Sequence, residues 1–337
     1  MSDIQNILSI KDLTIGYLSS GNALQPVFKS INLKAKKGEN IAIIGRNGIG
    51  KSTLLRTVAG LQKPLIGKVY IKDYDIKHYK KQEFARLISF VSTEIIRVSN
   101  LKLFDLVALG RFPHTGWIGK LNEDDYKIIN DSIYQVGIYN LKNKVLNEMS
   151  DGERQRAMIA RALAQDTEII ILDEPTAFLD LPNRYEIIRL LNELTVNKGK
   201  TIIFSSHDLN ITLQEADKVW LMGKNEIVEG APEDLIINKD IYRLFDNSSL
   251  DFNIEKGDFR LTRKKVNKIV LSGSGIMQFW TRRALERIGY EVCDEDKNST
   301  CIQISEQNNH TVWIIMKKGD KIICNSIYEL TLHLRRI

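Results

Sequence analysis

The stretch Gly45-Arg46-Asn47-Gly48-Ile49-Gly50-Lys51-Ser52-Thr53 has the residue types and spacing of a polyphosphate cradle, G-x-x-x-x-G-K-[ST]. At Gly45, Gly48 and Gly50 a Cβ would block close approach of the backbone and the left-handed turns such a loop needs. Lys51 is placed to reach β- and γ-phosphates, and Ser52 to ligate Mg²⁺. Asn47 and Thr53 belong to the same stretch and join the candidate nucleotide contacts. The loop predicts a site for ATP or GTP; a glycine-rich turn without ligand is the plainer alternative.

Such a loop works only between a strand and a helix. Ile41 to Ile44 reads as a buried strand, and Ser52 to Ala59 as a helix closed by Gly60. That order aims backbone N–H groups and the positive helix end at the phosphates. Further strands are expected at Leu8 to Ile10, Leu13 to Tyr17, Val27 to Leu33, Gly67 to Ile71 and Ile88 to Val91. From Leu101 to Leu146 the pattern becomes helical. One helix there is capped by Asn122, with Glu123, Asp124 and Asp125 read as a solvated first turn. Strands and helices alternate again from Ile169 to Met222, so the layout is α/β with a helical insertion.

Further chemistry lies downstream. Ile169 to Leu172 is an apolar strand ending in Asp173 and Glu174. At a strand end beside the loop, Asp173 is placed to hold Mg²⁺ and Glu174 to polarise an attacking water. Ser150-Asp151-Gly152-Glu153 opens a helix and forms either a second anion site or a capping box. Ser205-Ser206-His207-Asp208 follows the strand Thr201 to Phe204. His207 there either donates to a γ-phosphate or attacking water, or is structural.

In this order, over about Ile7 to Phe245, these motifs resemble the ATP-binding cassette (ABC) family of transport ATPases. The resemblance makes the Gly45 to Ser52 loop the Walker A motif, Ser150 to Glu153 the signature, and Asp173 with Glu174 the end of Walker B. It makes Leu179-Asp180 the D-loop, His207 the switch histidine, and Tyr17 the aromatic that stacks on adenine. It implies the nucleotide-binding domain fold, ATP with Mg²⁺ as cofactors, and a head-to-tail homodimer. In that dimer Ser150 and Gly152 of one copy face the γ-phosphate held by Lys51 of the other. Ala108 to His114, followed by Trp117, resembles a segment of importers of iron–siderophore complexes, haem and vitamin B12. That implies an integral membrane permease as partner and, indirectly, a substrate-binding protein. A cassette ATPase not coupled to transport and a nucleotide-dependent regulator stand as alternatives.

Two positions depart from the family pattern. Thr93 stands where the family has a Mg²⁺-sensing glutamine, and its shorter hydroxyl becomes the candidate metal contact. Asp151 replaces a signature glycine, so its carboxylate must turn away from the partner's γ-phosphate. Residues 249–337 lie outside the resemblance and read as a small α+β domain of regulatory or dimerising role, after a cassette domain of 1–248. The basic residues Arg260, Arg263, Lys264, Lys265 and Lys268 are read as a solvated linker or a membrane-facing stretch. Gly273-Ser274-Gly275 is read as a βα turn.

Composition bounds the rest. The chain has 337 residues, 43% hydrophobic and 27% charged, a globular profile with room for two domains. Its net charge of +6 is spread along the sequence, which argues against nucleic acid as the main partner. No apolar run is long enough to span a bilayer, and the N-terminus does not read as a secretory signal. A cytoplasmic location, peripheral on the inner membrane face through the permease, is therefore expected. Cys293, Cys301 and Cys324 form no C-x-x-C pair and read as free thiols; packing, or a metal site with His310, are the two readings.

Overall fold

The alternating start forms two long antiparallel strands, β1 (Asn6–Leu18) and β2 (Leu24–Lys36). The sequence predicts two strands across β1; one continuous strand with several register shifts against β2 is found instead. Between Ile10 and Leu13 the register shifts, and Asp12 takes φ 48° with its N–H donating to Asn32 Oδ1. A side-chain carbonyl thus replaces the ladder partner that the bulge removes. The computed structural model describes residues 6–18, 23–92, 100–115, 119–244, 250–253, 258–261, 267–293, 300–307, 310–317 and 320–335.

After β3 (Asn40–Gly45) come α1 (Lys51–Val58), β4 (Ile66–Ile71), β5 (Tyr74–Asp75), α2 (Lys81–Ala85) and β6 (Ile88–Val91). The helical insertion is α3 (Leu103–Ala108), α4 (Glu123–Gln135) and the start of α5 (Asp151–Ala164). The chain returns through β7 (Ile169–Leu172), α6 (Leu181–Lys198), β8 (Thr201–Ser206), α7 (Leu209–Glu215), β9 (Lys218–Met222), β10 (Ile227–Gly230) and α8 (Pro232–Ile237). Two sheets result, ordered β2-β1-β4-β5 and β10-β9-β3-β8-β7-β6. In the second, β9, β3, β8, β7 and β6 all run parallel.

The parallel part of this sheet is buried on both faces around β7, which is why β7 is apolar at every position. Ile170 and Leu172 pack with α5 and α6, whereas Ile169 and Ile171 pack with β1, β2 and α1. The insertion carries a correction to the sequence reading. Glu123 and Asp124 are exposed, but Asp125 is buried and pairs with Arg111 Nε at 2.8 Å. Burial works to raise the Asp125 carboxyl pKa; the Asn122 N–H and the Arg111 guanidinium outweigh it and hold the pKa below its usual value. Arg111 Nη1 also donates to Ala164 O at the last residue of α5.

By compactness the chain divides into residues 1–246 with 252–258, and 247–251 with 259–337. A ribbon of β11 (Leu250–Asn253) and β12 (Asp258–Leu261) lies at this junction in the sequence. The second unit holds β13 (Asn267–Ser272), α9 (Gly275–Arg287), β14 (Tyr290–Cys293), β15 (Thr300–Gln307), β16 (His310–Lys317), β17 (Asp320–Cys324) and α10 (Ile327–Arg335). Its sheet order is β14-β13-β15-β16-β17. The unit has its own core of Ile269, Leu271, Leu285, Ile302, Trp313 and Leu330. Gly273 to Gly275 forms the β13–α9 turn; a Cβ at Gly273 would sit 2.9 Å from Ile304. Cys324 is buried in this core, and no metal-binding cluster of His, Cys, Asp and Glu occurs among the described residues.

Candidate nucleotide site

Parallel registers bring three strand ends to one edge. Ile44 of β3 lies beside Ser206 of β8, and Leu172 of β7 lies beside Phe204 of β8. The residues that leave these strands therefore meet outside the carboxyl edge of the sheet, where open α/β sheets bind ligands. Gly45 to Gly50 turns there into α1, whose N-cap is Gly50 at φ 116° with no side-chain cap. A Cβ at Gly50 would strike Val27 Cγ1 at 2.8 Å, so glycine is required by both φ and space.

A cavity of about 420 Å³ opens above this loop. Tyr17, Asn47, Gly48, Gly50, Lys51, Ser52, Thr53, Glu174 and His207 line it. Lys51 is only 5% exposed, and its ammonium donates to the Gly45 and Arg46 carbonyls at 3.0 and 3.3 Å. Burial lowers its pKa most, while the charges of Glu174 and Asp173 act to raise it. Ser52 Oγ donates to Asp173 Oδ1 at 3.0 Å. His207 Nε2 and Glu174 Oε1 lie 2.5 Å apart, with the imidazole donating to the ionised carboxylate. Tyr17 is half exposed at the cavity rim, and its hydroxyl lies 3.1 Å from Thr53 Oγ1.

The signature residues do not join this cavity within one chain. Ser150 caps α5: its Oγ accepts from the Glu153 N–H at 3.2 Å, and Glu153 Oε2 accepts from the Ser150 N–H at 2.9 Å. That bond from Ser150 is the main reason the Glu153 carboxyl pKa is lowered. Ser150 lines a different cavity, of about 590 Å³, together with Asn183. Asp180 caps α6 and accepts from both Asn183 N and Nδ2. Gly152 packs against that same Asn183. Asp151 turns back along its own helix to pair with Arg154. Thr93 and Trp117 lie outside the described residues.

One residue of the site is not singled out by the sequence pattern. Ser205, fully buried on β8, donates to Asp173 Oδ1 and accepts from the Glu174 N–H, each at 2.8 Å. Only the pairing of β7 with β8 reveals it.

A buried parallel sheet, an uncapped glycine loop with lysine, and an Asp-Glu strand end define a P-loop ATPase. The ABC transporter family model matches residues 28–177, and the iron ABC transporter C-terminal domain model matches residues 266–335. An uncharacterized ABC transporter ATP-binding protein of Methanocaldococcus jannaschii is 39% identical, over 80% of this chain and 92% of its own length. The ferric enterobactin transport ATP-binding protein of Escherichia coli is 34% identical, over 70% of this chain and 85% of its own. The dimeric structure of a bacterial ABC transporter cassette superposes with a TM-score of 0.59 at 28% identity, covering 67% of this chain and 98% of that one. The chain belongs to the ABC transporter family and is one of its ATP-hydrolysing subunits. No described helix is long and apolar enough to cross a membrane.

Proposed function

We propose that this chain energises an importer of iron chelates, as a homodimer docked on an integral membrane permease at the inner face of the membrane. One observation carries the ATPase reading: Ser52, bonded to Asp173, and the bonded pair Glu174–His207 line the Lys51 cavity. The iron-domain match to residues 266–335 and the ferric enterobactin relative support the cargo class.

In this reading the loop N–H groups and Lys51 hold the β- and γ-phosphates, and Tyr17 stacks on the base. The Ser52 hydroxyl and the Asp173 carboxylate place two hard oxygens 3.0 Å apart, the donor type Mg²⁺ prefers. A Mg²⁺ held there would neutralise charge on the phosphate oxygens. Glu174 orients and deprotonates the attacking water, and His207 holds the Glu174 carboxylate by its Nε2. Separation of the Ser150 cavity from the Lys51 cavity supports a nucleotide shared between two copies, each supplying one half. Residues 249–337 are then an accessory domain for regulation or dimer contacts. Exposed Ile276, Phe279 and Trp280 on α9, with Arg283 over both rings, support a contact role.

Purified protein is expected to hydrolyse ATP, and Glu174→Gln to accumulate an ATP-bound dimer visible by size-exclusion chromatography. Absence of turnover even with the permease present would sink this reading. Truncation near Asp251 that changes neither uptake, its control nor dimerisation would remove the role given to the second unit.

A further inference from the structure

We infer that Ser205 is a positioning residue for hydrolysis: its hydroxyl sets the Asp173 carboxylate toward the metal and holds the Glu174 backbone. The inference rests on the nucleotide-site reading above and deepens it.

β8 is the strand between the loop-bearing β3 and the acid-bearing β7. With Leu172 beside Phe204, the next step along both strands sets Asp173 next to Ser205. Ser205 has no exposed surface, so its hydroxyl must be satisfied inside the protein. It is satisfied in one direction only. An ionised carboxylate cannot donate, so the Ser205 proton goes to Asp173 Oδ1, at 2.8 Å. The oxygen is then free to accept the Glu174 N–H, also at 2.8 Å. One hydroxyl thus orients the side chain of one acid and the main chain of the next.

Both tasks bear on the reaction. Asp173 Oδ1 receives two hydroxyl protons, from Ser52 at 3.0 Å and from Ser205. Were Ser52 to turn its oxygen to a metal, the Ser205 bond would remain to fix the carboxylate plane. Glu174 sits at φ 48°, in the left-handed region that a residue with a Cβ adopts only under constraint. The Ser205 acceptor is a hydrogen bond that this conformation makes at its own N–H. Without it, a partly buried N–H loses its partner and the turn is free to relax, carrying the carboxylate away from His207.

Threonine and valine at this position have the same shape and suit a strand, but only threonine keeps the hydroxyl. The experiment compares full-length wild type, Ser205→Thr and Ser205→Val. Mn²⁺ serves as the Mg²⁺ surrogate, and its affinity in the ATP complex is read by electron paramagnetic resonance. Nucleotide affinity in EDTA, kcat, and the urea midpoint are measured beside it. The expected result is Mn²⁺ affinity about tenfold weaker and kcat at least tenfold lower for Ser205→Val. Ser205→Thr should stay within threefold of wild type on both, and metal-free ATP affinity within twofold for all three. Ser205→Val matching Ser205→Thr in Mn²⁺ affinity and kcat would overturn the inference. So would parallel losses in both variants that track a lowered urea midpoint. A wild type that bound no Mn²⁺–ATP would instead overturn the nucleotide-site reading, and this inference with it.

Discussion

The N-termini of α1 and α5 are both candidate anion sites, yet they are built in opposite ways. At α1 the N-cap is Gly50, and no side chain bonds the first N–H groups. At α5 the Ser150–Glu153 box satisfies the end within the chain. An uncapped, glycine-built end leaves its donors for a ligand. A self-capped end must exchange its cap for a ligand oxygen, and so suits a contact made only when a partner arrives. On this reading the difference is one between a standing candidate site and a conditional one.

The largest effect should come from releasing α5 at its far end. Arg111 bonds both Asp125 and the last α5 carbonyl, so Arg111→Met leaves a buried carboxylate and a carbonyl unpaired. A loss of about 3–5 kcal/mol in urea unfolding is expected. The sign of the pH effect follows from the depressed Asp125 pKa. Its stabilisation is complete above the unfolded value of about 3.9 and fades as pH falls through the lower folded value. Wild type should therefore lose stability more steeply than Arg111→Met in that acid window. Equal acid slopes would contradict the pairing.

Next, Lys51→Ala should weaken ATP binding by about 1.5–3 kcal/mol, as a charged hydrogen bond to phosphate is lost. Calorimetry on the monomer at low concentration checks this, and an unchanged affinity would erase the contrast between the helix ends. Ser150→Ala should cost about 0.5–2 kcal/mol of stability through the lost cap. Monomer ATP affinity should not change, because Ser150 lines a separate cavity. Asp151→Gly should move stability least. The Asp151–Arg154 pair is exposed, so its loss is worth under about 1 kcal/mol, beside a helix-propensity difference of about 0.3 kcal/mol. Turnover, measured at saturating ATP, tells whether the carboxylate matters at the dimer stage; a rise would mean that it repels phosphate.

Much of this site is local chemistry, and local chemistry is legible in a sequence. Lys51 and Ser52 follow their glycines directly, and Asp173 with Glu174 ends a four-residue apolar strand. The Asn122 cap and the Ser150–Glu153 box are also readable, because capping partners lie within three residues of each other. The Asp125 burial was not legible. Its place in a first turn points to solvent, and its partner Arg111 lies in a different turn of chain. Nor was the single bulged β1, since Asn32 supplies the missing bond from 20 residues away.

The sequence by itself marked out a candidate nucleotide site, its loop and the acids beside it, because those groups act through neighbours along the chain. Only the tertiary structure decided that β8 runs between β3 and β7, that Ser205 joins Asp173 to Glu174, and that Ser150 opens on a separate cavity. Strand order and register are set by packing both faces of a sheet, a condition that no short stretch of residues can state.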